Sequence, residues 1–136
     1  MVEVLLLKKI LSKKEQEQYI YSKIGGPVAF KYPKGEKSDK SGKLIDRVVC
    51  YDGETNNAFY WNLLDLIRFK EEKEDWLRIT YYRYKKDGRW VFAGQTSISD
   101  PFNSFVVLFA KAIKEKEWIR PLFRNVYRQC SKELNI

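Results

Sequence analysis

Histidine is absent from this 136-residue chain, and cysteine occurs only twice, as Cys50 and Cys130. The first absence removes the usual general base, the usual member of a nucleophilic triad and the commonest metal ligand together. The two cysteines form no ligand set. Cys50 falls in a candidate strand and Cys130 on the apolar side of a candidate helix, so both are expected as small buried hydrophobes rather than as a disulfide. Long apolar runs are missing as well. The longest near the start, residues 4–7, stops at Lys8 and Lys9, far short of the roughly 20 residues of a membrane helix. It also lacks the cleavage pattern of a secretory signal. A cytoplasmic protein with no membrane partner is therefore expected. Neither Gly25-Gly26-Pro27 nor Ala93-Gly94-Gln95 has the spacing of a dinucleotide or phosphate-binding loop. No cofactor, catalytic residue or metal site is indicated, and an enzyme is not expected. The one enzymatic alternative is a metal-dependent nuclease working through carboxylates alone, for which Asp46, Asp52, Glu54 and Asp65 are the candidates. Their spacing carries no specific signal.

What the chain does have is positive charge. Its net charge is +8, from 26 Lys and Arg against 18 Asp and Glu, a balance that attracts polyanions. The charge is sorted by segment. Residues 45–100 are nearly neutral overall, yet Arg78, Arg83, Lys85, Lys86 and Arg89 stand against Asp87 alone. The acids Glu71, Glu72, Glu74 and Asp75 cluster just before them. Hydrophobic residues make up 44%, enough for a core, and the length fits a single domain over residues 1–136.

Ser12 and Glu15 form a capping-box pattern and Gly25-Gly26-Pro27 a stop, predicting a helix over about 13–24. Residues 2–11 could be a helix turn or a strand. Residues 28–32 read as a short strand, and 33–43, rich in Gly, Ser, Pro and Lys, as a flexible surface loop. Residues 44–51 read as a strand ended by Asp52-Gly53. Residues 58–69 suit either a helix face or a strand, and we read them as helix. Asp100-Pro101 predicts a helix start with Asp100 as the cap, and apolar residues from Phe102 to Ile113 recur at helical spacing. A last helix after Pro121 is expected to turn Leu122, Val126, Tyr127, Cys130 and Leu134 inward, with Arg120, Arg124, Arg128 and Lys132 as a basic stripe on its solvated side. The predicted fold is α+β: a single antiparallel sheet of about four strands, packed on one face by N- and C-terminal helices.

The clearest elements are the strands 76–84 and 89–98, joined at the hairpin signal Asp87-Gly88. Strand alternation puts Trp76, Arg78, Thr80, Tyr82 and Tyr84 on one face and Leu77, Ile79, Tyr81 and Arg83 on the other. With a two- or four-residue loop the first face continues through Arg89, Val91 and Ala93, and a three-residue loop exchanges the partner faces. The second face, continued through Trp90 and Phe92, is the more apolar and is expected to meet the helices, leaving the first outward. Rings and guanidinium groups on one exposed face suit single-stranded nucleic acid, where bases stack on the rings and cations follow the backbone. The candidate binding residues are Trp76, Arg78, Tyr82, Tyr84, Lys85, Lys86 and Arg89, with Trp61 as a further aromatic. The expected function is binding of single-stranded DNA or RNA with little sequence specificity. The alternative is a protein-interaction or oligomerisation module using the same face, since aromatics and Arg also mark such interfaces.

The segment Trp76-Leu-Arg-Ile-Thr-Tyr-Tyr, the hairpin, and then Trp90-Val-Phe-Ala-Gly-Gln-Thr-Ser-Ile-Ser-Asp-Pro101 resemble the archaeal ThermoDBP-like single-stranded-DNA-binding proteins, over residues 44–119. That resemblance implies an antiparallel sheet against helices, a cleft lined by aromatic and basic side chains, an archaeal source, RNA binding in some relatives and oligomers in others. The zipper-like final helix of that family has no counterpart here, because the tail after Pro121 carries no sustained heptads.

Overall fold

The computed structural model of the chain describes residues 9–30, 40–94 and 98–136. The expectations for residues 2–8, for 31–32, for the loop over 33–39 and for the strand at 95–97 fall outside the described residues, whereas 40–43, expected in that loop, belong to a strand paired on both sides. Helix α1 (Lys13–Tyr21) starts on the capping box: the Glu15 amide donates to Ser12 Oγ at 3.1 Å and the Ser12 amide to Glu15 Oε1 at 2.9 Å. Strands β1 (Pro27–Phe30), β2 (Lys40–Glu54), β3 (Ala58–Phe69), β4 (Trp76–Lys85) and β5 (Trp90–Phe92) follow as an antiparallel meander, each paired with the next in sequence. Helix α2 (Phe102–Glu115), a 3₁₀ turn (Glu117–Ile119) and helix α3 (Arg120–Leu134) complete the fold. The class is α+β, as the sequence suggests. None of the described helices is long and apolar enough to cross a membrane.

Three expectations are corrected. Residues 58–69 are a strand, not a helix, and make the sheet five-stranded. This strand is central and covered on both sides, so apolar residues occupy consecutive positions and imitate a helical face. The helices do not share one face: α1 covers one side of the sheet and α2, with Ile119 of the 3₁₀ turn, the other. The last helix does not bury its apolar side. It contains no fully buried residue, and Leu122, Val126, Tyr127 and Leu134 are exposed while Cys130 is half-buried. Both cysteines are free thiols, and burial pushes the Cys50 thiol above its ordinary range.

The sheet is curled. Ile45 and Asp52 are extra residues in β2, placed at its two breaks in register with β3, and such bulges bend a strand and re-aim its side chains. The curl brings the edges together: Val28 and Ala29 of β1 line one cavity with Arg78 of β4 and Phe92 of β5. The concave inner face packs Val49, Trp61, Leu63 and Tyr82 against Ile20 of α1. A second inner cluster joins Val28, Leu44, Ile67 and Phe69. On the outer face Val48, Cys50 and Leu64 meet Leu108, Ala112 and Ile119. β3 can lie close on β2 because Gly42 has no side chain; a Cβ there would collide with the Arg68 carbonyl.

An ion network is sealed inside the curl. Arg47 and Asp65, with side chains 1% and 0% exposed, pair through Nε–Oδ1 at 2.7 Å and Nη2–Oδ2 at 3.0 Å. Arg47 Nη1 also donates to the Ile20 carbonyl at 3.0 Å, tying α1 to the sheet. Arg78 donates to the same carboxylate at 2.9 Å. One anion thus serves two cations. The Tyr82 ring, 5.4 Å from Arg47, and the Phe92 ring, 4.9 Å from Arg78, supply the remaining favourable electrostatics. Burial opposes the Arg47 charge, but the bonds to Asp65 outweigh it and hold its pKa above the ordinary guanidinium value.

Removing one partner of such a network strands a buried charge, at about 3–5 kcal/mol. Asp65→Ala is expected to lose that much in urea denaturation, a large share of a typical domain's stability. The double substitution Arg47→Leu with Asp65→Leu should recover most of it, since the Arg78 side chain, 16% exposed, lies near enough the surface to turn to solvent.

Candidate functional site

The predicted binding face splits in two. Along β4 the alternation is as expected, but the face carrying Trp76, Arg78, Thr80, Tyr82 and Tyr84 is the inner one, and its expected outward orientation is corrected. Tyr82, Tyr84 and Trp61 are 7%, 2% and 2% exposed. α1 and the residue before its cap cover them: Trp61 Nε1 donates to Gln16 Oε1 at 2.8 Å, and Tyr84 Oη accepts from the Leu11 amide at 3.1 Å. Tyr19 of α1 stacks on Trp90 at 4.3 Å. Trp76 is half-buried between Phe30 and Phe69, and Arg78 belongs to the Asp65 network. These residues build the core rather than an open stacking platform.

The hairpin loop explains the partner strand. The Lys85 amide donates to the Arg89 carbonyl at 2.8 Å and the Gly88 amide to the Lys85 carbonyl at 2.9 Å, which encloses three residues. Gly88 takes φ +91°, the left-handed position such a loop requires. Tyr82 therefore pairs with Phe92 and Tyr84 with Trp90. The rings of both strands turn inward together, against the pairing expected for a two- or four-residue loop.

Lys85, Lys86 and Arg89 do reach the surface, in company the sequence did not suggest. On the outer face, beyond the end of α2, they line a cavity of about 440 Å³ with Tyr60, Arg83 and Asn57. Lys86 pairs with Glu54 and Arg89 with Asp87, each at 2.8 Å, and both carboxyls are held below their ordinary range by these partners. Arg83 and Lys85 make no ion pair among the described residues, and the Arg83 Nε, shielded from solvent, has no hydrogen-bond partner there. Tyr60 and Tyr81 are neighbours across β3 and β4, with ring centroids 6.5 Å apart and tilted by 40°.

Tyr60 also lines a second cavity of about 260 Å³, with Tyr81, Asp52, Asn62 and Asp100. Asp52 is the bulge residue of β2, which turns its carboxyl toward this hollow. Asp100 was expected to cap α2, but α2 starts without a side-chain cap. Asp100 instead accepts from Asn62 Nδ2 at 2.8 Å. Burial, followed by the hydrogen bond and like charge of Asp100, pushes the Asp52 pKa up to about 6, against the opposing bonds from Ser104 and Asn62. The result is a continuous surface: cations at the hairpin end, two tyrosines in the middle, a carboxylate pair at the far end.

The chain matches no protein-family model, and no curated protein or solved structure is significantly similar to it. The site therefore stands on geometry. Sequence reasoning missed Tyr60, Tyr81, Arg83, Asn62 and Asp100. The signal for Tyr60 and Asn62 was the turn at Thr55-Asn56-Asn57, whose Thr55 Oγ1 accepts from the Asn57 and Ala58 amides. Reading it as a hairpin makes 58–69 a strand and pairs Tyr60 with Arg83 and Asn62 with Tyr81. The four carboxylates considered for a nuclease do not converge. Asp46 accepts from Trp118 and Lys116, Asp65 from two arginines, Glu54 from Lys86, and Asp52 faces Asp100. Among the described residues no group of three or more acidic or cysteine side chains could hold a metal.

Because the folded chain holds the Asp52 proton more tightly than the unfolded chain, the stability it confers is complete at low pH. It is lost as the pH rises from about 4 through about 6. Asp52→Asn, which never ionises, is expected to be more stable than the parent at pH 7.5. After allowance for solvent screening the gain is about 1 kcal/mol, a few degrees in Tm. Thermal melts across pH should show that gain vanish toward pH 4; a constant difference would contradict the raised Asp52 pKa.

Proposed function

We propose that the chain binds single-stranded nucleic acid, DNA or RNA, on the outer face at its hairpin end. The observation that carries this reading is the sharing of Tyr60 between a cation-lined cavity and a polar hollow. Backbone phosphates would meet Arg83, Lys85, Lys86 and Arg89 while bases lie against Tyr60 and Tyr81. Ring stacking of this kind contributes roughly 1–3 kcal/mol per base, and the phosphate contacts are insensitive to sequence. The net charge of +8 brings polyanions to the molecule. The ThermoDBP-like resemblance, with its cytoplasmic and archaeal setting, supports the same reading, although the surface we favour is not the hairpin face the sequence suggested.

Fluorescence anisotropy with a labelled oligonucleotide tests it. Tyr60→Ala should weaken binding about tenfold. Arg83→Ala should weaken it and flatten the salt dependence, each lost phosphate contact removing about 0.7 from the slope of log K against log salt. Tyr82→Phe, altering the buried inner face, should leave affinity unchanged. Absence of binding at low salt would end this reading.

A separate observation favours self-association. Helix α3 is amphipathic yet buries no residue. Phe102, Val106 and Ile113 of α2 continue its uncovered apolar side, and Phe102 is 92% exposed, leaving on the order of 200 Å² of one ring in water. An open hollow of about 630 Å³ lies between Ile113, Phe123 and Tyr127, and Arg120, Arg124 and Arg128 line it as well. We propose that a second copy covers this surface, because such a seam can supply the roughly 800 Å² per partner of a stable dimer. Sedimentation should show a concentration-dependent dimer that Val106→Glu or Tyr127→Glu disperses.

A further inference from the structure

We propose that the hollow between Asp52, Asn62 and Asp100 is a guanine-reading subsite, giving an otherwise sequence-tolerant surface one base preference. The inference rests on the single-strand reading above and deepens it. The hollow is bounded by two tyrosine rings, Tyr60 and Tyr81, and its polar wall is a carboxylate pair. Asn62 could have offered a donor, but its Nδ2 is committed to Asp100 at 2.8 Å. Besides the hydroxyls of Ser99, Tyr60 and Tyr81, which can turn either way, the polar wall offers a ligand the acceptors of the two carboxyls, so the complement is an edge made of donors.

Among the common bases guanine alone has adjacent donors on its Watson–Crick edge, N1–H and the N2 amino group. A single carboxylate can accept from both. Adenine and cytosine set an acceptor ring nitrogen beside their amino group, which a carboxylate repels, and uracil and thymine flank N3–H with two carbonyls. Reading that edge is possible only in a single strand, where it is unpaired. The size agrees: about 260 Å³ is small for a general ligand pocket but sufficient for one base.

The placement agrees too. The bulge at Asp52 breaks the register between Tyr51 and Gly53, and aims a carboxyl beside Tyr60 where a regular strand would not. Since Tyr60 borders both cavities, a base held in the hollow sets its own phosphate toward Arg83 and Lys85. A carboxylate wall would repel a backbone but not a base edge, so the hollow also fixes which part of the strand enters it.

The test uses the full chain and twelve-residue thymidine oligonucleotides carrying one central guanine, adenine or inosine, with uridine equivalents in RNA. Inosine keeps N1–H but lacks the N2 amino group. On one backbone or both, guanine should bind about tenfold more tightly than adenine, and inosine should lose most of that step. Asp52→Asn, which retains shape but loses the carboxylate, should bring the guanine-to-adenine ratio close to one. If all three oligonucleotides bind the parent chain within twofold on both backbones, the guanine subsite is wrong while the single-strand reading stands. If no oligonucleotide binds, both are wrong. The inosine comparison needs no variant, so it decides the matter even where Asp52→Asn alters folding.

Discussion

The bond between Arg47 and Asp65 holds the architecture together. It spans β2 and β3 at the centre of the curled sheet, and through the Ile20 carbonyl it reaches α1. A guanidinium and a carboxylate at this depth give up a large hydration energy, which only near-ideal bidentate geometry and further hydrogen bonds can offset. Both conditions are met, and they fix where α1 must sit. Once α1 is there, Gln16 meets Trp61 and the Leu11 amide meets Tyr84, and the inner face is closed. The network therefore does more than resist unfolding: it determines which side of the sheet can face a partner.

Closing the inner face leaves the outer one open to a partner. α2 covers only part of it, against Val48, Cys50 and Leu64. The uncovered part lies at the end where β2 turns into β3 and β4 into β5, and there the side chains of Tyr60, Tyr81, Arg83 and Lys85 share one face. At the opposite end the turn between β3 and β4 is acidic, with Asp75 paired to Arg68 and Glu72 to Lys40. The charge sorting visible in the sequence thus becomes a polarity along the sheet, because antiparallel strands fold successive segments onto opposite ends. An approaching polyanion is drawn to the hairpin end and turned from the other.

Much of the fold was legible in local patterns. The capping box at Ser12 and Glu15, the hairpin at Asp87-Gly88 and the alternation along β4 depend on residues within a few positions of each other. The side chosen as outward did not, because it was decided by pairings such as Trp61 with Gln16 and Tyr84 with Leu11, separated by 45 and 73 positions. The hairpin shows how small the deciding detail can be. Asp87-Gly88 fits loops of two, three or four residues, yet each one-residue change turns the partner strand over. Helical reading of residues 58–69 failed for a related reason: Leu63, Leu64 and Asp65 are all buried in β3, and a strand covered on both faces loses the alternation that identifies it. Of the candidate site, Lys85, Lys86 and Arg89 were found by charge alone. Asp100 was noticed, but as a helix cap, since its partner Asn62 lies in the strand that was read as helix.

The carboxylate pair at the far end of the surface explains how a basic protein could bind a strand in a single orientation. A uniformly positive groove gives a phosphate backbone no reason to prefer one placement over another. Here the cations occupy one cavity and the carboxyls the next, with a tyrosine common to both, so backbone and base would be sorted into different compartments. Asp52 and Asp100 oppose one another when empty, and donors from a ligand would relieve that opposition. Below about pH 6 a proton on Asp52 relieves that repulsion, and above it a partner that brings N–H groups would do so. Under the proposed reading, aromatic stacking and phosphate contacts would hold any strand, whereas relief of the carboxyl repulsion would depend on the base.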